Sequence, residues 1–220
     1  MYKIILVDDH SLFREGIKLL IETEGFGKVV AEAQNGQEFL NLLPAHTPDL
    51  VIMDIAMPVM GGMEATEKAK ALYPDLKILA LTMFDEENNY LDMVQAGVLG
   101  FILKTAGKHE LERAIKAVTQ GEIFYSTDLL HRIIQSHHSN QTNTVAANTS
   151  ASNITENELE VLRLFCKGLT VSEIAKLIFR SVKAVESRRS SLLRKTNSKN
   201  TINLILYAIK NKLVALEDVE

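Results

Sequence analysis

Several apolar stretches of this chain end abruptly in a side chain that can do chemistry. They supply three carboxylates, one hydroxyl and one ammonium group, from Asp8, Asp9, Asp54, Thr82 and Lys104. Short apolar runs of this kind are typical of the buried strands of a parallel sheet, whose carboxyl ends share one edge. We therefore expect the five side chains to lie together. Such a set suits a hard cation and a phosphoryl group, and it points to phosphorylation of Asp54.

The three carboxylates are the candidate metal ligands. Asp8 and Asp9 follow the first predicted strand and Asp54 follows the third, and these strands are neighbours in the expected sheet order. Carboxylates packed so closely repel one another unless a cation lies among them, and oxygen ligands with room for water suit Mg²⁺. Ala56, two residues after Asp54, is placed to add its backbone carbonyl to the metal.

The remaining polar groups suit a covalent phosphoryl group on Asp54. With the metal present, the Asp54 carboxylate can attack phosphorus as a nucleophile. Lys104 would then pair with one phosphoryl oxygen, and the Thr82 hydroxyl would donate to another. Taken singly, each residue has an ordinary use as a turn, helix-cap or surface residue. Their convergence on one sheet edge favours the functional interpretation.

The elements that must position these groups alternate regularly between strand and helix. Strands are predicted near residues 3–7, 28–32, 49–53, 76–81 and 98–102. Helices are predicted near residues 11–24, 36–43, 62–72, 86–96 and 107–119. Strict alternation with strands buried on both faces implies right-handed crossovers and a flavodoxin-like, doubly wound (βα)5 fold.

Charge is divided unevenly along the 220 residues. Residues 1–130 carry 11 Lys/Arg against 20 Asp/Glu, a net charge of −9, whereas residues 150–220 carry 12 against 8, a net charge of +4. We therefore expect different partners for the two halves. The polar residues 139–153 predict a flexible linker, and residues 122–137 predict an extra helix where that linker begins. The predicted boundaries are 1–121 for the first domain, 122–153 for the linker and 154–216 for the second domain.

Hydropathy, the N-terminal segment and the cysteine content indicate the cellular compartment. No apolar run approaches the roughly 20 residues needed to cross a bilayer. The N-terminus predicts a strand and not a signal peptide, because it lacks a basic segment and a cleavage site. The single cysteine, Cys166, cannot form an internal disulfide and is expected in the core. These features predict a cytoplasmic protein without membrane attachment.

The second half predicts an all-α domain of four short helices. Capping boxes at Thr155 with Glu158 and at Thr170 with Glu173 mark the first two helix starts, and Ser181 is the N-cap of the third. A fourth helix is predicted after residue 200. The second and third helices are separated by a tight turn without glycine, and the third is rich in Lys and Arg. That arrangement favours a helix-turn-helix that binds double-stranded DNA.

The first 120 residues resemble the receiver domain of two-component response regulators. The resemblance rests on VDDH at 7–10, MDIAMPVMGG at 53–62, LT at 81–82 and GFILK at 100–104, in the order and spacing of that family. It implies Asp54 as phospho-acceptor, Asp8, Asp9, Asp54 and Ala56 around Mg²⁺, and Thr82, Phe101 and Lys104 as switch residues. Gly61 stands where these proteins usually carry an aspartate.

Residues 154–214 resemble the LuxR-type helix-turn-helix, through ITENELEVLRLFCKGLTVSEIAKLI followed by SVKAVESRRSSLLRKT. The resemblance implies that the third helix is the recognition helix. It implies base-edge contacts from Glu186, Ser187 and Ser190, and positions nearer the phosphates for Lys183, Arg188, Arg189 and Arg194. Two departures lie in this helix: Arg188 takes a position that is commonly His, and Thr196 replaces a usual Leu.

The whole chain thus resembles a NarL/FixJ-type response regulator, which implies a transcription regulator and not an enzyme. The resemblance implies a sensor histidine kinase as phosphoryl donor, and a homodimer on DNA in the active state. An enzyme of the haloacid-dehalogenase type is disfavoured because Ala56 stands where a second carboxylate is needed. A flavodoxin-like cofactor binder is disfavoured because Asp8 and Asp9 would repel a phosphate. A constitutively dimeric transcription factor whose receiver ignores phosphate remains the alternative.

Overall fold

The computed structural model describes residues 1–83, 90–130 and 154–214. The chain divides into two compact units, Met1–Ser126 and Thr127–Glu220. The predicted linker at 139–153 lies outside the described residues. So do the first part of the helix predicted near 86–96 and the second part of the helix predicted over 122–137. Among the helices that are described, none is both long and apolar enough to span a bilayer.

A single parallel sheet organises the N-terminal unit. Its strands are β1 (Lys3–Val7), β2 (Lys28–Ala33), β3 (Leu50–Asp54), β4 (Ile78–Thr82), β5 (Gly100–Leu103) and β6 (Phe124–Tyr125). They lie in the order β2-β1-β3-β4-β5-β6, with every pair parallel. The chain runs from β1 to β2 on one side and then returns to build β3 to β6 on the other side of β1. This reversal of strand order is that of a doubly wound sheet, so the fold predicted from the alternation is confirmed.

The sixth strand was not predicted. The sequence predicted a helix over 122–137, but Phe124 pairs with Gly100 and Tyr125 with Phe101 in a short parallel ladder. The Phe101 and Tyr125 rings also stack, with centroids 5.9 Å apart. The helix prediction was therefore wrong for residues 122–126, whereas residues 127–130 are helical. A strand of two residues has no period to detect, and only its pairing with β5 reveals it.

Among the described residues of this unit, five helices pack against the sheet: α1 (Ser11–Thr23), α2 (Gly36–Leu42), α3 (Gly62–Leu72), α4 (Tyr90–Gln95) and α5 (Lys108–Thr119). A short 3₁₀ turn, Leu43–Ala45, extends α2. The strands β4 and β5 begin two residues later than predicted. Leu76 N is still bonded to Tyr73 O at 3.1 Å in a turn, and Val98 N still closes the end of α4 through Met93 O at 3.1 Å.

Four helices form the described C-terminal domain: α6 (Glu156–Cys166), α7 (Val171–Leu177), α8 (Val182–Thr196) and α9 (Thr201–Lys210). Both predicted capping boxes and the Ser181 N-cap are present. The helix-turn-helix is formed by α7 and α8, which pack on each other. Phe179 takes the left-handed conformation in the turn, with φ +54°, where a glycine would be unstrained. Its side chain is 93% exposed, so packing does not explain that conformation.

Gly62, the first residue of α3, generates a prediction about the sheet edge. A Cβ at this position would lie 2.1 Å from the backbone oxygen of Asp54, so Gly62→Ala must displace the end of β3. We expect a loss of about 1–3 kcal/mol in stability from this overpacking. Gly16→Ala is the matched control, because Gly16 lies inside α1 with open space around it, and should stabilise by about 0.5–1 kcal/mol. Scanning calorimetry of the full chain measures both, and equal shifts would contradict the proposed clash.

Candidate functional site

Two buried carboxylates and one lysine meet at the carboxyl edge of the sheet. Asp8 follows β1 and Asp54 ends β3, and these strands pair directly, with Val7 opposite Met53. Each carboxylate residue is only 2% exposed. Lys104 Nζ lies 2.7 Å from Asp54 Oδ2 and 2.8 Å from Asp8 Oδ2. The structure therefore brings together three of the residues that the sequence predicted at one edge.

The lysine is placed by backbone and ring contacts. Lys104 N donates to Thr82 O at 2.8 Å, which ties the end of β5 to the end of β4. The ammonium lies 5.1 Å from the centre of the Phe13 ring on α1, a cation–π contact. Its side chain is 4% exposed, so it meets the two acids in a largely dry environment. There its attraction to both carboxylates is stronger than it would be in water.

Burial sets the proton affinities of this cluster. Burial raises the pKa of Asp54 above its usual range, although the hydrogen bond from Lys104 acts in the opposite direction. Burial also acts to lower the pKa of Lys104, but the hydrogen bonds to Asp54 and Asp8 outweigh it and hold that pKa above its usual value. The lysine is thus firmly cationic, whereas the ionised form of Asp54 depends on positive charge nearby.

Asp9 completes the acidic cluster on its partly exposed side. Asp9 Oδ1 is buried and accepts no hydrogen bond of regular geometry within the described part of the chain. One ligand atom from each of Asp8, Asp9, His10 and Asp54 lies within 4.8 Å of the others. Carboxylate oxygens grouped this closely are hard donors of the kind that a divalent cation requires. The residues present therefore fit the Mg²⁺ that the sequence predicted.

The other predicted residues surround this cluster without all joining it. Thr82 ends β4 and is fully buried, and its hydroxyl donates to the backbone oxygen of Met83 at 2.7 Å. Phe101 lies on β5, fully buried against Tyr125. Ala56 lies in the exposed loop after β3, within two residues of Asp54. The hydroxyl, the ring and the loop are thus near the sheet edge, and Lys104 contacts Asp54 directly through its side chain.

The predicted recognition helix, α8, presents one continuous polar stripe. Its exposed polar side chains recur three and four residues apart, which places them along one face: Lys183, Glu186, Ser187, Ser190 and Arg194. The three predicted base-facing residues all lie on this stripe. Arg188 and Arg189 are half-buried and flank it. Of the predicted phosphate-facing residues, Lys183 and Arg194 are the more accessible.

A buried glutamate binds α8 on the side away from its exposed stripe. Glu158, in the first turn of α6, accepts from Ser191 Oγ at 2.7 Å and from Lys195 Nζ at 2.7 Å. It also accepts from the backbone N of Thr155 at 2.8 Å as part of the capping box. Burial acts to raise the pKa of Glu158, but the hydrogen bonds from Lys195, Thr155 and Ser191 outweigh it and lower that pKa to about 2. The same carboxylate thus begins α6 and anchors α8.

Sequence reasoning missed three of these contacts. His10 adds an imidazole to the acidic cluster, and the VDDH motif contained the signal, since a histidine directly follows two acids. Phe13 supplies the ring beside Lys104, but its place on α1 has no distinctive pattern. The bond from Glu158 to Ser191 and Lys195 joins residues more than 30 positions apart, so local spacing could not reveal it.

Comparison with known protein families matches both units. Residues 4–116 match the response regulator receiver domain, and residues 152–208 match the bacterial regulatory proteins of the luxR family. The chain is 35% identical to the oxygen regulatory protein NreC of Staphylococcus epidermidis over 215 residues, which cover 96% of this chain and 99% of that protein. It is 34% identical to NreC of Staphylococcus haemolyticus over 217 residues, with the same coverage.

Solved structures show the same architecture. The response regulator ChrA of a heme-sensing two-component system aligns with a TM-score of 0.55 and 26% identity, over 97% of this chain and 98% of that one. RcsB of Salmonella typhimurium aligns with a TM-score of 0.57 and 27% identity, over 94% and 97%. A structure of two RcsB dimers bound to two parallel DNAs aligns with a TM-score of 0.56 and 26% identity, over 96% and 98%.

The Glu158 network predicts a pH-dependent contribution to the stability of the C-terminal domain. Because the pKa is about 2 in the folded state and 4.5 as a usual value, the contribution is full above pH 4.5 and is lost as the pH falls towards 2. Glu158→Gln should cost about 1–3 kcal/mol at pH 7 and progressively less below pH 4.5. Thermal melts from pH 7 to pH 3 measure this. Glu160→Gln, an exposed neighbour on α6, should show no such trend, and a pH-independent loss in Glu158→Gln would contradict the network.

Proposed function

This chain belongs to the NarL/FixJ-type response regulators, which are transcription factors and not enzymes, and on that premise we propose that Asp54 accepts a phosphoryl group from a sensor histidine kinase. The observation that carries the proposal is the contact of a buried Asp54 with Lys104 at 2.7 Å beside a second buried acid, Asp8. Burial leaves the carboxylate poorly solvated, and the lysine stands ready to bind an anion beside it. The phosphorylated protein would then regulate transcription as a homodimer on DNA, in the cytoplasm.

The proposed reaction is a transfer between two protein side chains. An oxygen of the Asp54 carboxylate attacks the phosphorus of a phosphohistidine on the kinase. The O–P bond forms as the P–N bond breaks, and the departing imidazole nitrogen keeps the bonding electron pair and takes up a proton. Lys104 then exchanges part of its contact with the Asp54 carboxylate for a contact with a phosphoryl oxygen.

The carboxylates of Asp8, Asp9 and Asp54 and the carbonyl of Ala56 would hold Mg²⁺ in this site. A bound Mg²⁺ offsets the negative charge that accumulates where the phosphoryl group meets the acids. Asp8 is already paired with the buried Lys104 through Oδ2, whereas Asp9 Oδ1 faces the exposed His10 imidazole at 2.9 Å, so Asp9 is the more available ligand. The acidic cluster of the described residues therefore supports this role without rearrangement of β1 or β3.

Thr82 and Phe101 are the proposed link between phosphorylation and the rest of the domain. The Thr82 hydroxyl donates to Met83 O in this structure, and a phosphoryl group on Asp54 offers it a stronger, charged acceptor. Rotation of Thr82 towards that acceptor would change the packing of the adjacent strands β4 and β5, where Phe101 lies opposite Ala80. Phosphorylation would thus bias a two-state element inside the core.

The exposed stripe of α8 supports sequence-specific DNA binding by the C-terminal domain. Glu186, Ser187 and Ser190 can accept or donate hydrogen bonds at base edges, whereas Lys183 and Arg194 extend from the same stripe towards phosphates. RcsB, which shares this architecture, has been solved as dimers on DNA. We propose the same use of a second copy here, because one small domain makes few contacts with DNA.

Asp54→Asn tests the phosphoryl acceptor. With a labelled small-molecule donor such as acetyl phosphate, the wild-type chain should incorporate acid-stable, base-labile label, and Asp54→Asn should incorporate none. Asp75→Asn, in an exposed turn of the same unit, should be labelled normally.

The phosphorylated wild-type protein should also bind a two-half-site operator more tightly and with a Hill coefficient above one. Equal DNA affinity and equal oligomeric state with and without phosphate would favour the constitutive dimer instead.

Two single substitutions on the stripe separate specificity from affinity. Glu186→Ala should change the preferred base at one position of the operator, by about 1–3 kcal/mol, because a carboxylate in the groove accepts from a cytosine amine. Arg194→Ala should weaken binding to all sequences alike and lower the salt slope by about one unit. Selection of operators from a random library, followed by salt titration, distinguishes the two. An unchanged base preference in Glu186→Ala would contradict the assigned orientation of α8.

A further inference from the structure

Three large apolar side chains are exposed around the turn of the helix-turn-helix. Leu177 ends α7, Phe179 lies in the turn and Val182 begins α8, and they are 57%, 93% and 43% exposed. Among the described residues, Phe179 is the most exposed large hydrophobic side chain. We call these three residues the apolar corner. Exposed hydrophobic side chains that are grouped, and not scattered singly, mark interaction sites.

The turn presents Phe179 to solvent in a strained backbone conformation. The N–H groups of Phe179 and Arg180 donate to the carbonyls of Lys176 at 3.3 Å and of Ala175 at 2.9 Å. These two bonds close α7 in a Schellman motif, in which the left-handed residue is usually glycine. Phe179 occupies that position with φ +54°. The ring therefore replaces a residue that would be unstrained there, and its exposure means that packing within the described domain does not offset the strain.

The charge around the apolar corner indicates that its partner is a polyanion. Lys176, Arg180 and Lys183 are exposed next to these residues in the chain, and residues 174–185 contain no acid. Glu173, the acid that precedes them, already belongs to the capping box of α7. Cations interleaved with apolar groups suit nucleic acid, because the cations neutralise phosphates while the apolar groups contact bases.

The apolar corner is continuous along the chain with the exposed polar stripe of α8. Val182 lies one turn before Glu186 and directly before Lys183, which both belong to the stripe. The N-terminal residues of a recognition helix approach base edges in the major groove, where the apolar group on offer is the C5-methyl of thymine. Four residues rise roughly 6 Å along a helix, which is about two base steps of DNA.

We propose that Val182 reads a thymine of the operator by apolar contact with its C5-methyl group, and that Phe179 covers this contact from the turn. The thymine lies within about two base pairs of the position that Glu186 reads. The inference rests on the DNA binding proposed above for α8. It adds a contact that recognises a methyl group to those that recognise hydrogen-bonding groups.

The alternative occupant of the apolar corner is an acidic protein surface, such as that of a second copy, whose residues 1–130 carry a net charge of −9. DNA is favoured because the corner shares the first turn of α8, including Lys183, with the stripe. The two occupants differ in one observable. Contact with DNA responds to removal of a single methyl group from the duplex, whereas contact with a protein does not.

Substitution of deoxyuridine for thymine removes that methyl group and keeps every hydrogen-bonding group of the base. Full-length protein treated with acetyl phosphate first selects an operator from a random library, and each thymine of that duplex is then replaced singly. At one thymine the wild-type protein should lose about threefold to tenfold in affinity, the effect of one buried methyl group. Val182→Ala should bind the unsubstituted duplex more weakly by a similar factor and should no longer respond to deoxyuridine at that position. Leu72→Ala, which removes an exposed apolar side chain at the end of α3, is the matched control and should keep the response.

Phe179→Gly separates the cost of the turn from its use. Because glycine is unstrained with φ +54°, this variant should melt at a higher temperature than wild type. It should nevertheless bind the selected operator about threefold or more weakly, because it loses the apolar cover of the contact. Thermal melts and fluorescence anisotropy measure the two effects. Undiminished operator affinity in the more stable variant would refute the role of Phe179.

The remaining outcomes distinguish this inference from the proposed function. A wild-type protein insensitive to deoxyuridine at every thymine, or an unchanged response in Val182→Ala, would overturn the methyl contact and leave DNA binding by α8 standing. A Phe179→Gly variant that changes its oligomeric state but keeps the response to deoxyuridine would assign Phe179 to a protein partner and refute its contact with DNA. If wild-type protein selects no operator, the proposed DNA binding fails together with this inference.

Discussion

The N-terminal unit is organised around one interaction, the contact of a buried lysine with two buried carboxylates. Asp8, Asp54 and Lys104 stand at the ends of three different strands, yet Lys104 Nζ lies within 2.8 Å of an oxygen of each acid. Removing one partner from such a cluster typically costs about 3–5 kcal/mol, because it leaves a charge buried without compensation. The order of β1, β3, β4 and β5 is what makes the contact possible. Because β4 lies between β3 and β5, the long lysine side chain spans the end of β4 to meet both acids.

The same cluster combines repulsion among its carboxylates with attraction to one lysine. Two acids share one ammonium, and Asp9 adds a third carboxylate beside them. The cluster as a whole is therefore short of positive charge, which favours the binding of a cation and disfavours a phosphoryl group unless that cation is present. The Phe13 ring at 5.1 Å supports the lysine on its apolar side. A scaffold built for stability alone would have replaced these groups with apolar ones.

Much of this arrangement could be predicted from the sequence, because strand ends are local features. The apolar runs locate β1, β3, β4 and β5, and the topology of parallel sheets then places Asp8, Asp54 and Lys104 at one edge without further information. The helix starts of the C-terminal domain followed from capping chemistry, which spans only three residues.

The unpredicted features depend on contacts between distant segments. The two-residue strand β6 exists only through its pairing with β5, and the left-handed Phe179 follows from the geometry of a turn whose usual glycine is absent. The His10 side chain lies against Asp9 and does not cap α1. The anchor of α8 depends on Glu158, which lies 33 residues before Ser191 in the chain.

Glu158 has a mechanical consequence for the DNA-binding domain. Its carboxylate closes the first turn of α6 through Thr155 and at the same time fixes the rotation of α8 through Ser191 and Lys195. Fraying of the first turn of α6 would therefore also weaken the two bonds that hold the rear of α8. The segment that connects the domains enters α6 at this same turn. The first turn of α6 and the rear of α8 are thus coupled through one carboxylate, in addition to the direct packing of the two helices.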